Sequence, residues 1–199
     1  MTFLFDIGRV LLDFEYERSL EKLLPVDCED RRGRLERLLE RKDDFEAGKI
    51  PEDEFIDWSL ERLESEATPD EFRSVWRSIF VPNAPMWQVV ERLAEEGHRL
   101  ILFSNINSIH WPWITEAFPR FSRFHGAVLS FEVGAIKADP VIYQHAIEAH
   151  GLVPEQTRYI DDLPANIAAG RKAGLRSWQY DLKDHAAFEQ WLEAELAEG

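Results

Sequence analysis

Four small groups of polar residues in this chain stand at or near the ends of apolar runs. Asp161-Asp162 closes the run Tyr159-Ile160. Two neighbouring carboxylates repel one another, and burying them costs several kcal/mol unless a cation compensates. The pair is therefore either two exposed loop acids or part of a metal site. Asp6 follows Phe3-Leu4-Phe5 and precedes Ile7-Gly8-Arg9-Val10. An aspartate in that position is a turn or cap residue, a carboxylate nucleophile or a metal ligand. Ser104-Asn105 ends Leu100-Ile101-Leu102-Phe103, a pairing common in turns, and Lys137 stands just before Asp139-Pro140. Each group is weak evidence alone. Their order is more informative: Asp-x-Gly-x-Val, then Ser-Asn, then Lys, then Asp-Asp-x-x-x-Asn, each where a single crevice can collect it.

The elements that must position these groups can be read from the same rows. The apolar runs at 3–5, 100–103 and 159–160, with Ala127-Val128-Leu129 as a fourth, are short and do not alternate. Such runs suit buried parallel strands better than half-exposed antiparallel ones. Helical spacing from about Met86 to Glu96 stops at Gly97, a C-terminal signal. Asp139 and Pro140 open a helix running to Gly151, Pro164 opens another ending at Gly174, and Asp184 caps a last one containing Phe188, Trp191 and Leu192. From residue 86 onward helices and strands alternate, the order expected of a doubly wound α/β core. In such a core the loops at the carboxyl ends of the parallel strands converge on one crevice.

Residues from about Glu15 to Val81 read differently: charge-rich, helical and without a convincing strand. Leu35, Leu38, Leu39 and Phe45 suggest one amphipathic face, Phe55, Trp58 and Leu63 a second, and Phe72, Val75, Trp76 and Ile79 a third. The expected organisation is a core of residues 1–14 and 82–199 with an all-helical insert at 15–81, and a ligand cleft between the two.

Composition narrows the function classes. With 38 Asp+Glu against 23 Lys+Arg the formal charge of the 199 residues is −15, which repels nucleic-acid backbones and anionic lipid. A small anionic substrate stays open, because a local cation or bound metal reverses the sign inside one cleft. Cys28 is the only cysteine, so an intrachain disulfide and a thiolate zinc cluster are excluded. No apolar run approaches the roughly 20 residues of a membrane span. Asp6 and Arg9 interrupt the apolar N-terminus too early for a signal peptide. The expectation is a cytoplasmic protein with no nucleic-acid or membrane partner; nothing in the pattern speaks to oligomeric state.

Taken together, Phe5-Asp6-Ile7-Gly8-Arg9-Val10, Leu102-Phe103-Ser104-Asn105-Ile106-Asn107, Gly134 to Tyr143, and Tyr159-Ile160-Asp161-Asp162-Leu163-Pro164-Ala165-Asn166-Ile167 resemble the motifs of the haloacid dehalogenase-like (HAD) hydrolase superfamily. The resemblance covers essentially the whole chain, and is narrowest to a branch of small sugar-phosphate phosphatases typified by α-D-glucose-1-phosphate phosphatase. It implies a doubly wound parallel-sheet, Rossmann-like core with a small helical cap inserted after the first strand. It also implies a Mg²⁺-dependent phosphatase acting on a small phosphorylated metabolite, sugar phosphates included. Asp6 would attack phosphorus and form an aspartyl-phosphate that water hydrolyses. Mg²⁺ would sit among the Asp6 carboxylate, the Gly8 carbonyl and Asp162, with Asp161 near or behind it. The Ser104 hydroxyl and Asn105 backbone amide would hold phosphoryl oxygens. Lys137 would offset charge as the transition state forms, Arg9 would help hold an anionic substrate, and Asn166 would order the fourth loop.

The chain also departs from the family pattern. Gly8 stands where most phosphatases of the superfamily carry a second aspartate as general acid and base, a loss worth about 10²–10⁴ in rate. The sugar-phosphate branch tends to have glycine there too. Asp13, Glu46, His110 and water are the candidates for the proton, and Ala138 replaces the usual proline after the lysine. Glu46-Ala47-Gly48-Lys49-Ile50 is similar to a cap loop that faces the active site in this family, with Lys49 as a substrate contact. His110, Trp111 and Trp113 follow the second motif and are expected at the cleft mouth or in packing. Two other readings stand beside the phosphatase. A metal-free 2-haloacid dehalogenase also lacks the second aspartate but does not pair two acids in its fourth motif. A degenerate member of the fold would bind a ligand or protein without turnover.

Overall fold

The computed structural model describes residues 1–198. Five parallel strands form its centre: β1 (Thr2–Phe5), β4 (Arg99–Ser104), β5 (Gly126–Leu129), β6 (Thr157–Asp161) and β7 (Arg176–Gln179), in the order β5-β4-β1-β6-β7. The two remaining strands, β2 (Leu12–Phe14) and β3 (Phe80–Pro82), pair antiparallel as a separate ribbon.

The central strands are apolar throughout because both faces of the sheet are covered. Phe3, Phe5, Leu100, Leu102 and Ile160 point to one side, where they pack with Met86, Trp87 and Val90 of α6 (Ala84–Glu95) and with Phe188 and Leu192 of α11 (His185–Glu198). The alternate residues Leu4, Ile101, Phe103, Val128 and Tyr159 point to the other. There they meet Ile142 and Tyr143 of α9 (Pro140–His150) and Ile167 of α10 (Pro164–Lys172). The period-two split of a continuous apolar run between two layers is what a sheet buried on both faces requires. The doubly wound α/β core expected from the sequence is the fold observed.

Local signals set the helix ends. Asp139 caps α9 by accepting a hydrogen bond from the Val141 amide at 2.9 Å, and Pro140 occupies the first turn. Asp184 accepts from the Ala187 amide at 3.1 Å ahead of α11. Two short helices complete this part of the chain, α7 (His110–Ala117) and α8 (Ser130–Val133).

Between the ribbon strands lie α1 (Tyr16–Leu20), α2 (Arg31–Leu38), α3 (Lys42–Glu46), α4 (Glu52–Leu63) and α5 (Pro69–Arg77). They enclose their own apolar cluster, in which Leu38, Phe55, Phe72 and Trp76 are fully buried and to which Ile109 contributes from the loop after β4. Leu39, expected on the buried face, is instead 36% exposed, because α2 gives way to a 3-10 turn at Leu39–Arg41 that rotates the next side chains outward. The strand Phe80–Pro82 is a second departure, since no strand was expected within the helical segment 15–81. It exists by pairing with Leu12–Phe14, so the ribbon ties the two ends of the helical segment together. Among the described residues no helix is long and apolar enough to cross a membrane.

Candidate active site

The strand order does most of the positioning. β1 lies between β4 and β6, with Phe5 opposite both Leu102 and Ile160, and the Asp6 amide donates to the Ile160 carbonyl at 3.0 Å. Asp6, Ser104 and Asp161 therefore leave the sheet side by side, although they are distant in sequence. Lys137 arrives from beyond the outer strand β5. Asn105 fixes its approach, accepting from the Lys137 amide at 2.8 Å and donating to its carbonyl at 3.1 Å.

Lys137 is 5% exposed and all three of its protons are engaged: its Nζ donates to Phe103 O at 2.7 Å and to Asp161 Oδ2 at 2.6 Å, and lies 3.0 Å from Asp6 Oδ1. Burial works against its charge, but Asp161 and Asp6 outweigh burial and hold its pKa above the ordinary lysine range. Asp161 is fully buried and saturated. It accepts from Lys137, from Tyr159 Oη at 2.6 Å, from the Leu163 amide at 2.8 Å, and from Asn166 Nδ2 at 3.0 and 3.2 Å on its two oxygens. Asn166 is held in turn, its carbonyl accepting from Tyr143 Oη at 2.8 Å.

Asp6 Oδ1 accepts from the Ile7 amide at 2.7 Å and faces Lys137. Burial pushes the Asp6 carboxyl up to about 7; Lys137 opposes this, and the charges of Asp161 and Asp162 add to it. Asp162 is raised to about 6 by burial and by Asp161, against the pull of Lys137. One oxygen from each of Asp6, Asp161 and Asp162 lies within 4.8 Å of the others. Three carboxylates against one ammonium leave an excess of negative charge. An all-oxygen set of this kind suits a hard divalent cation.

Asp6, Lys137 and Asp162 form the floor of a cleft of about 160 Å³ lined also by Gly8, Arg9, Ser104, Asn105 and Asn166. Asp6, Gly8, Arg9, Ser104, Asn105, Lys137, Asp162 and Asn166, all expected from the sequence, thus line this cleft, and Asp161 stands behind it. Arg9 has φ 56°, is paired with Asp13, and lies with its guanidinium 4.5 Å from the Phe14 ring centre. Three expectations are corrected. Lys49 is exposed and paired with Asp44 at 3.6 Å, away from the cleft, because α3 ends three residues earlier, at Glu46, and the chain then turns it outward. Asp13 faces Arg9 and does not line the cleft. His110 lines it but has no free ring nitrogen: Nε2 lies 3.0 Å from the Trp76 carbonyl and Nδ1 3.1 Å from Asn107 Nδ2. A carbonyl only accepts, so Nε2 carries the proton and Nδ1 accepts. Burial drops the His110 pKa to about 4, its bond to Trp76 partly opposing.

The rest of the wall was not foreseen. Phe14, Tyr16, Lys42 and Phe80 line it together with Glu46. Tyr16 and Lys42 come from the helical insert, where periodicity shows which face is apolar but not which polar residue overhangs the sheet. Lys42 and Glu46 look in sequence like an ordinary i,i+4 surface pair, yet Glu46 is 5% exposed.

Comparison with known proteins places the chain in a family. A model of the haloacid dehalogenase-like hydrolase family matches residues 1–174, and the chain belongs to that family. It is similar to a D-ribitol-5-phosphate phosphatase of Bacteroides thetaiotaomicron, 23% identical over 185 residues, which cover 88% of this chain and 89% of that protein. It superposes on a HAD family enzyme of the same organism, crystallised with magnesium and inorganic phosphate, at TM-score 0.78, with 24% identity, 91% of this chain and 94% of that one. A predicted HAD-like hydrolase from Porphyromonas gingivalis gives 0.76 at 25% identity over 96% and 97%.

Proposed function

We propose that this hydrolase is a Mg²⁺-dependent phosphomonoesterase that transfers the phosphoryl group of a small phosphorylated metabolite to Asp6 and then to water. The observation that carries the reading is the meeting of Asp6, Asp162 and Lys137 on the floor of one cleft. The donor set fits the ion: two carboxylates with pKa values raised by burial and by neighbouring acids are stabilised by a cation between them. Asp6, Asp162 and the Gly8 carbonyl would hold Mg²⁺. Asp161, whose oxygens are already committed to protein donors, orients Lys137 instead. Bound there, the ion would neutralise phosphoryl charge and keep Asp6 ionised.

The protein's own groups supply the remainder. The contacts from Ile7 and Lys137 both fall on Asp6 Oδ1, leaving Oδ2 to attack phosphorus. The P–O bond to the alcohol breaks as the Asp6–phosphorus bond forms, and water then cleaves the acyl phosphate. Lys137 holds positive charge beside the nucleophile without having to move, which is the preorganisation that lowers a charged barrier. The Ser104 hydroxyl and Asn105 amide would bind the phosphoryl oxygens, and Arg9 would bind the substrate at the cleft mouth. A cleft of about 160 Å³ with aromatic walls supports a small organic group, and the likeness to a ribitol-phosphate phosphatase supports a polyol or sugar phosphate. A dehalogenase would leave Asp162 without a role.

The test is a panel of polyol, sugar and aryl phosphates assayed with Mg²⁺ and after chelation. Turnover should require the ion and vanish in Asp6→Asn. Hydrolysis that survives either treatment refutes the reading.

A further inference from the structure

A phosphomonoesterase has to protonate the departing alkoxide, and Gly8 provides no group for it. A side chain at that position would also press on Phe14, since a Cβ on Gly8 would lie 3.0 Å from Phe14 Cε1 and the ring would have to shift by a few tenths of an ångström. A side-chain proton donor must therefore come from elsewhere in the cleft. Lys137 has its protons engaged, and both nitrogens of His110 are taken. Arg9 stays charged and pairs with Asp13. Burial holds Tyr16 far above the working range of a phenol. Asp6 and Asp162 belong to the nucleophile and ion cluster. One carboxyl lining the cleft remains.

We propose that Glu46, reaching over the sheet from the helical insert, is the general acid and then the general base of this cleft. The inference rests on the phosphoryl-transfer reading above. Its geometry is fixed on two sides. Phe45 stacks on Phe55 with ring centres 4.1 Å apart and planes at 9°, anchoring α3 in the apolar cluster of the insert. Gly48, at φ +67°, lies so close to the sheet domain that a Cβ there would sit 2.2 Å from the Phe131 carbonyl oxygen. Glu46 lies between these anchors and faces the cleft. Lys42 Nζ holds its Oε2 at 2.8 Å, so Oε1 is the oxygen that exchanges the proton. Burial keeps the carboxyl above the usual glutamate range while Lys42 pulls it back, which makes both protonation states useful.

The cycle balances. In the first step Asp6 Oδ2 bonds to phosphorus, the P–O bond to the alcohol breaks, and the alkoxide takes the Glu46 proton to leave as the alcohol. In the second, Glu46 carboxylate takes a proton from water as its oxygen bonds to phosphorus. The Asp6–phosphorus bond then breaks, giving inorganic phosphate, free Asp6 and protonated Glu46.

Glu46→Gln keeps size and hydrogen bonding but cannot exchange a proton. With D-ribitol 5-phosphate kcat should fall by about 10²–10⁴ with KM little changed. With p-nitrophenyl phosphate, whose leaving group needs no acid, the variant should release a stoichiometric burst of nitrophenolate and then stall. Acid-quenched protein should carry one phosphoryl group, absent in the Asp6→Asn, Glu46→Gln double variant. Glu46→Asp, with its carboxyl retained, should recover part of the rate and covers the case in which Gln disturbs the fold. A Gln variant with wild-type kcat on the polyol ester overturns the assignment. So does an equal loss on both esters without a burst, which marks a structural or hydroxyl-binding role. Wild-type protein that is active yet forms no phosphoenzyme at Asp6 fails the underlying reading instead, and this one with it.

Discussion

His110 offers a quantitative test of how the helical insert is fastened to the sheet domain. Its ring joins α7 to α5: Nε2–H donates to the Trp76 carbonyl, and Nδ1 accepts from Asn107, whose own Oδ1 accepts from the Ile109 and His110 amides at 3.2 and 3.0 Å. Protonation would put a second N–H at Nδ1 against the Asn107 donor, inside a site 2% exposed. The pKa accordingly falls from 6.5 to about 4, chiefly through burial. The sign follows from proton counting. Above pH 6.5 both folded and unfolded chains carry neutral His110, and this residue adds no pH dependence. Between 6.5 and 4 the unfolded chain binds a proton that the folded one refuses, so stability falls as pH falls. The loss is 2.5 units at 1.36 kcal/mol each, or about 3 kcal/mol by pH 4, and is constant below that. Asp6 and Asp162, with raised pKa values, act in the opposite direction and mask the effect in the wild type alone. They are shared with His110→Gln, so the difference between the two urea-unfolding free energies isolates the histidine. The gap should be largest near pH 7, favouring the wild type, and shrink by about 3 kcal/mol toward pH 4. A difference that stays flat across that window would refute the picture of a buried neutral ring.

Three further outcomes follow from the same geometry. Lys137→Met leaves Asp6 and Asp161 facing each other without their cation; it should destabilise the fold by about 3–5 kcal/mol and abolish turnover, read by urea melts and steady-state assay. Gly48→Ala combines a left-handed backbone, about 1–2 kcal/mol of strain, with a Cβ driven into the Phe131 carbonyl. It should lower both stability and kcat, whereas Gly97→Ala, at φ +79° with open space around it, should cost stability alone. Tyr159→Phe removes one of the donors to Asp161 and should cost about 1 kcal/mol with a modest loss of kcat, measured by the same melts and assay.

The legible part of this protein is the part set by strand ends. Asp6, Ser104-Asn105 and Asp161-Asp162 can be placed from sequence because a short apolar run that stops at a polar residue marks both the strand and its end. The parallel topology then makes those ends neighbours. Other features depend on contacts between distant segments. β2 and β3 are three residues each, too short for alternation to register, and they exist because the two ends of the helical segment meet. Glu46 is recognisable as a candidate but not separable from Asp13 or His110 without knowing which of them are already bonded. Phe14 gives no polar signal at all, although its ring crowds the space a side chain at residue 8 would use.

The charge arithmetic also changes character once the contacts are known. A formal charge of −15 argues against anionic partners on a broad surface, and Lys137 looks like the local exception. Yet its three protons go to Phe103, Asp161 and Asp6, so it serves to hold those two carboxylates rather than to attract a phosphoryl group unaided. Arg9, which lines the cleft, is paired with Asp13. The positive charge that an incoming phosphate would meet must then be supplied where Asp6 and Asp162 converge. Burial and neighbouring acids have already made ionisation there costly without a partner. The same excess of carboxylate that repels phosphate from the bare cleft would favour a divalent ion, so on the proposed reading ion binding and phosphate binding are expected to be one coupled event.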